Sequence, residues 1–126
     1  MRAFKGKAFD RWAAGERLAD GDLCTAAAEA FAGQVEADLG GYLFKKRIAR
    51  TGGGKSGGYR TILGFRKSES ERIFFLYGFP KNRRATITAR EEMALGAVAA
   101  SLIDATDEQI SALIERGAIK ELECGT

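Results

Sequence analysis

Apolar and polar positions change period several times along the chain, and each change marks an element. Residues 2–5 (Arg-Ala-Phe-Lys) read as a short first strand. From Lys7, Ala8, Trp12 and Ala13 recur at helical spacing with Phe9 beside them, and Gly15 stops that helix. Asp20 or Asp22 caps a second helix with the stripe Leu23, Ala27, Ala30 and Phe31, ended by Gly33. Trp12 and Phe31 are expected in the core. Residues 35–41 read as a connection that turns at Gly40-Gly41, and 43–50 as a strand whose uneven charges place it near an edge.

A loop at 51–58 follows, with five glycines in eight residues. Residues 59–66 alternate as a strand, 67–71 form a polar hairpin turn, and 73–79 are apolar on both faces, as in a central strand. After Pro80 the period becomes helical. Thr86 or Thr88 caps a helix with Glu91 and Glu92 in its first turns, and its stripe is Met93, Ala94, Ala97, Val98, Leu102 and Ile103. Thr106 or Asp107 caps a last helix through Ile110, Leu113 and Ile114, stopped by Gly117; residues 118–124 alternate like a short strand or extended tail. The order β-α-α-β-β-β-α-α-(β), with three strands joined by short turns, predicts an α+β fold: a small antiparallel sheet packed against helices. Residues 1–126 read as one domain. Residues 104–126 form a C-terminal extension with six acids, read as a solvated cap or a partner-contact segment.

Charge sharpens this picture. The formal net charge is only +3, but more than half of the 20 Lys and Arg fall within residues 45–84, against Glu69 and Glu71 alone. A sheet with cations at its loops and ends is suited to phosphate. Histidine is absent and the two cysteines are far apart, which excludes a Cys/His zinc site and a Ser-His-Asp triad. Cys24 and Cys124 are read as reduced thiols. No apolar run approaches the roughly 18 residues of a spanning helix, and the N-terminus lacks a signal-peptide core, so a cytoplasmic location is expected.

Three segments carry candidate chemistry. Residues 49–56 (ARTGGGKS) fit a relaxed phosphate-loop pattern, but Gly57-Gly58 and a strand follow where that motif needs a helix. The glycine loop with Arg50, Lys55 and Arg60 can bring backbone and charge close to a ligand. The cluster YGFPKNRR at 77–84 ends the central strand. In an antiparallel pair the end of one strand lies beside the start of its neighbour, so Tyr59, Arg60, Tyr77, Lys81 and Arg84 gather at one sheet edge. Aromatic rings there can stack bases while guanidinium groups hold phosphate.

The motif GGGKSGGYR at 52–60, a strand, and FLYGFPKNRR at 75–84 resemble the RelE/HigB-type toxins of bacterial type II toxin–antitoxin pairs, in the RelE/ParE superfamily. In particular they resemble the subgroup with the signature GxGxSGGYR … FLYGFAKNER, and the resemblance covers roughly residues 1–117. It implies a compact microbial-RNase-like α+β fold and a ribosome-dependent endoribonuclease that cuts mRNA in the decoding site, with no metal or other cofactor. The implied partners are a cognate antitoxin, of helix-turn-helix type, and mRNA on the ribosome; operator DNA is met only through the antitoxin complex. Carried to this chain, the catalytic candidates are Lys46 (or Arg47), Arg60, Lys81, Arg84 and Tyr77. Arg47, Arg50, Lys55, Tyr59 and Arg83 are the RNA-binding candidates. The expected chemistry is attack of a ribose 2′-OH on the neighbouring phosphate, with Lys46 as base and Arg60 and Lys81 stabilising the charged transition state. The chain departs from the best-studied members in lacking histidine, in Asn82, and in Thr-Ile-Thr where they place a tyrosine. Two other activities stay open: inhibition of a topoisomerase, and an inert regulator that only binds antitoxin and operator.

Overall fold

A computed structural model describes residues 1–49, 58–66 and 72–124. Its elements run β1 (Arg2–Gly6), α1 (Lys7–Gly15), α2 (Asp20–Phe31), β2 (Ala37–Gly40), β3 (Leu43–Ala49), β4 (Gly58–Gly64), β5 (Arg72–Pro80), α3 (Ala89–Ile103), α4 (Asp107–Glu115) and β6 (Ile119–Glu121). The fold is α+β, as expected. The glycine-rich loop and the polar turn of the sequence reading lie outside the described residues.

The six strands form one sheet in the order β2-β3-β4-β5-β1-β6. All pairings are antiparallel except that of β1 with β5, which is parallel. The expected connection at 35–41 contains β2, a strand too short and glycine-bound to show a period. Gly40, Gly41 and Tyr42 all take positive φ (82°, 58° and 68°) to turn the chain straight back into β3. β2 covers β3 only as far as Lys45, so the first half of β3 is not an edge. The tail forms β6 and pairs with the first strand, Phe4 opposite Glu121.

Helices cover both faces of the sheet rather than one. Phe9 and Ala13 of α1 and Leu23, Ala27 and Ala30 of α2 pack on Phe44, Leu63, Phe65 and Phe75. On the other face, α3 and α4 pack Ala99, Leu102 and Ile110 against Leu43, Ile62, Phe74 and Phe79. Each fully buried Phe or Leu contributes roughly 1.5–3 kcal/mol of transfer free energy. α3 comes close to the sheet at Gly64, where an added Cβ would lie 3.0 Å from the Ala99 Cβ.

Two predicted stripes are rotated. Phe31, the last residue of α2, is 43% exposed. The buried face of that helix is Leu23, Ala26, Ala27 and Ala30, and Phe31 sits about 100° round from Ala30. On α3, Met93 (79%) and Val98 (46%) are exposed; Leu102 of the predicted stripe is buried, and Ala99, outside that stripe, is buried with it. An alanine-rich helix offers apolar side chains all round, so periodicity alone cannot choose its face.

The helix starts follow capping chemistry. Thr88 Oγ1 accepts the Glu91 N–H at 3.1 Å, and Glu91 Oε1 accepts the Thr88 N–H at 2.8 Å. Thr106 and Gln109 repeat this exchange at α4. At α2 the cap is Ala19; Asp20 and Asp22 lie in the first turn, and Asp22 accepts the Ala19 N–H at 3.4 Å.

Cys24 and Cys124 are not free thiols. They form a disulfide across a sequence separation of 100, with Cα atoms 5.3 Å apart. β6 carries the tail past β1 and brings Cys124 to α2, inside the Cα range a disulfide accepts. Near it, Lys5 is buried and paired with Asp10 at 2.7 Å and Asp20 at 2.9 Å, linking β1 to both helices of that face. No helix among the described residues is long and apolar enough to cross a membrane.

Candidate nucleic-acid interface

Strand alternation and register decide which basic residues meet. β3 pairs with β4 through Arg47↔Arg60 and Lys45↔Ile62, and β4 pairs with β5 through Arg60↔Phe79 and Ile62↔Tyr77. Two rows therefore cross the sheet on the α3 side, Arg47–Arg60–Phe79 and Lys45–Ile62–Tyr77. The turn after β5 folds over the same face, where Ile87 is buried beside Phe79.

Arg60 is the centre of the first row. Its Nε donates to Glu36 Oε1 at 2.8 Å, and the same oxygen lies 3.4 Å from Lys45 Nζ. Lys45 Nζ also donates to the Ala85 carbonyl at 3.4 Å. Arg60 Nη1 is buried and has no hydrogen-bond partner among the described residues. A buried donor without an acceptor costs about 1–3 kcal/mol. Burial opposes ionisation of Glu36, but the hydrogen bonds and charges of Arg60 and Lys45 outweigh it and hold the carboxyl below its usual value.

Arg84 stands over the aromatic end of both rows. Its guanidinium carbon is 5.3 Å from the Phe79 ring centre and 5.9 Å from that of Tyr77. Its Nε donates to the Thr86 carbonyl at 2.9 Å and its Nη1 to the Tyr77 hydroxyl at 3.4 Å. Nη1 and Nη2 both reach the Glu91 carboxylate, a two-point ion pair. Glu91 thus caps α3 and holds Arg84 at once. The Arg84 hydrogen bond, helped by the Thr88 backbone, lowers the Glu91 carboxyl from 4.5 to about 2. Burial, with the Glu91 charge beside it, raises the Tyr77 phenol above its usual range.

The remaining candidates fall in different places. Lys81 and Arg83 are exposed in the turn that ends β5; the Lys81 N–H donates to the Gly58 carbonyl at 3.0 Å, which holds that turn against the start of β4. Arg47 is exposed at the outer end of its row. Lys46 lies on the opposite face, 8% exposed, with its Nζ 3.0 Å from Glu29 of α2 and donating to the Gln34 carbonyl at 2.8 Å. Tyr59, 3% exposed, also points to that face, edge-on to Trp12 and donating to the Glu16 carbonyl at 3.3 Å. Neither joins the cluster. Arg50 and Lys55 lie outside the described residues.

Sequence reasoning missed Lys45, Glu36 and Phe79. Lys45 and Arg47 share a face because they are two apart, a signal present in Lys45-Lys46-Arg47 but unreadable without the register. Nothing in the sequence marks Glu36, which reaches the site only because β2 exists. Among the described residues, no group of three or more His, Cys, Asp or Glu is placed to hold a metal ion.

The arrangement places guanidinium and ammonium groups beside two aromatic rings, with two carboxylates holding them in position. Such a face can bind phosphate and stack a base. A family model described as RelE toxin of the RelE/RelB toxin–antitoxin system matches residues 1–122, from β1 through β6. No curated protein matches the chain. The chain therefore belongs to the RelE toxin family, whose members are the toxin halves of toxin–antitoxin pairs and generally RNases.

Proposed function

We propose that this toxin is a ribosome-dependent mRNA endoribonuclease that cuts by 2′-OH transesterification and works without metal or cofactor. The observation that carries the reading is the pairing of Arg60 with Phe79, under Arg84. Neighbouring strands are about 4.8 Å apart, so a phosphate at Arg60 leaves its base within reach of the Tyr77 and Phe79 rings. Arg60 and Lys81 offset the negative charge that grows on the phosphate oxygens, and fixed cations of this kind contribute about 3–4 kcal/mol each in comparable sites. Arg84, held by Glu91, offers a planar face on which a base stacks. Arg47 and Arg83, exposed at either end of the face, hold flanking phosphates. Lys46 takes no part, because it is paired with Glu29 on the far side of the sheet.

The family's antitoxin is the natural cover for this basic face. In this reading it is a helix-turn-helix protein, operator DNA is reached only through the complex, and the toxin acts in the cytoplasm, where ribosomes are. The test is induced expression of wild type, Arg60→Ala and Lys81→Ala. Each substitution is expected to relieve growth arrest. Arrest that persists in both, with intact mRNA and damaged DNA, would favour a topoisomerase target instead.

A further inference from the structure

We propose that Glu36, at the start of the β2 hairpin, is the general base that takes the 2′-OH proton; this rests on the nuclease reading above. The Arg60 guanidinium orients the Glu36 carboxylate. Its Nε donates to Glu36 Oε1 at 2.8 Å, and the same oxygen lies 3.4 Å from Lys45 Nζ. The carboxylate thus sits between the two cations that a phosphate meets on this face. A phosphate held by them lies beside the carboxylate. The 2′-oxygen of the attacked nucleotide neighbours its phosphorus, and proton transfer requires it roughly 2.6–3.2 Å from a Glu36 oxygen.

Among the described residues, Glu36 is the carboxylate paired with Arg60. Glu91 is committed to Arg84 and the α3 cap, and Glu29 lies across the sheet with Lys46. The charged groups facing Glu36 are Lys45 from β3 and Arg60 from β4. They keep it ionised and ready to accept a proton at neutral pH.

The step balances. The 2′-O–H bond breaks and its proton goes to a Glu36 oxygen; the freed pair forms the 2′-O–P bond. The P–O5′ bond breaks, and the departing 5′-oxygen takes a proton from the Lys81 ammonium. The products are a 2′,3′-cyclic phosphate and a 5′-hydroxyl; Glu36 then gives its proton up to solvent and Lys81 takes one from it, which restores both side chains.

The experiment is single-turnover cleavage of mRNA in programmed ribosomes by the purified full-length toxin, across pH 6–8. Wild type is expected to cut at a rate level with pH, since the carboxylate is ionised throughout. Glu36→Gln, which keeps the acceptor for Arg60, is expected to cut about 10²–10⁴-fold more slowly with unchanged ribosome binding, and Glu36→Asp to recover part of the loss. A Glu36→Gln rate within about threefold of wild type overturns the inference and leaves the nuclease reading standing. If Glu36→Gln fails to fold, the wild-type profile decides: a rate rising about tenfold per pH unit marks a lysine base and overturns the inference. A wild type that cuts no ribosome-bound mRNA overturns the nuclease reading itself, and Glu36 with it.

Discussion

At the scale of single residues, two carboxylates set the geometry of the site. Glu91 is the clearer case, because its carboxyl moves from 4.5 to about 2 on the Arg84 hydrogen bond. A carboxyl depressed in the folded state stabilises it fully above its unfolded value, and that contribution fades as pH falls through the folded value. The thermal-melting advantage of wild type over Glu91→Gln should therefore be constant above about pH 5 and shrink between pH 4.5 and about 2. An advantage unchanged down to pH 2.5 would mean that Arg84 does not hold Glu91. The residue scale is also where the sequence was hardest to read. Lys45, Lys46 and Arg47 are consecutive, and alternation sends them to opposite faces. Only the pairing of Arg47 with Arg60 tells which face carries the site. Tyr59 looked available beside Arg60 for the same reason, yet its parity sends it into the core against Trp12. Arg60, Tyr77 and Arg84 were legible together, because adjacent antiparallel strands bring the end of one to the start of the other.

At the scale of elements, the long strands and the threonine-capped helices were readable from period and capping chemistry alone. β2 was not, since four residues ending in glycine carry no period. Nor was the buried face of α3. Two substitutions on that helix test its orientation. Met93→Lys, at a position 79% exposed, should change stability by less than about 0.5 kcal/mol. Ala99→Leu should destabilise by about 1–3 kcal/mol, because the Ala99 Cβ already faces the Gly64 backbone with no room for more atoms. Urea melts of the two variants would show it. The opposite ranking would put the predicted stripe, not the observed one, against the sheet. This orientation matters to the site, because the same helix begins at Glu91 and so fixes Arg84.

At the scale of the whole molecule, the tail closes the fold on itself. β6 pairs with β1, Leu122 is buried in the core, and the Cys24–Cys124 bond ties the last described residue to α2. A cross-link spanning 100 residues contributes about 4–5 kcal/mol in the chain-entropy picture. The urea midpoint should fall by a corresponding amount on reduction or in Cys24→Ser; equal midpoints with and without reductant would show that the pairing adds nothing. Neither cysteine's partner was legible, because the thiols meet only after the tail has joined the sheet. The disulfide lies on the α1–α2 side, away from the rows that carry Arg60 and Phe79, so stability and chemistry occupy opposite faces. The central claim is that the α3-side face cuts RNA. Mapping transcript ends after induction tests it most directly. Wild type is expected to give new 5′-hydroxyl ends within translated mRNA, matched by 2′,3′-cyclic phosphates, and Arg60→Ala to lose them. Arrested cells whose mRNA remains full length would contradict it.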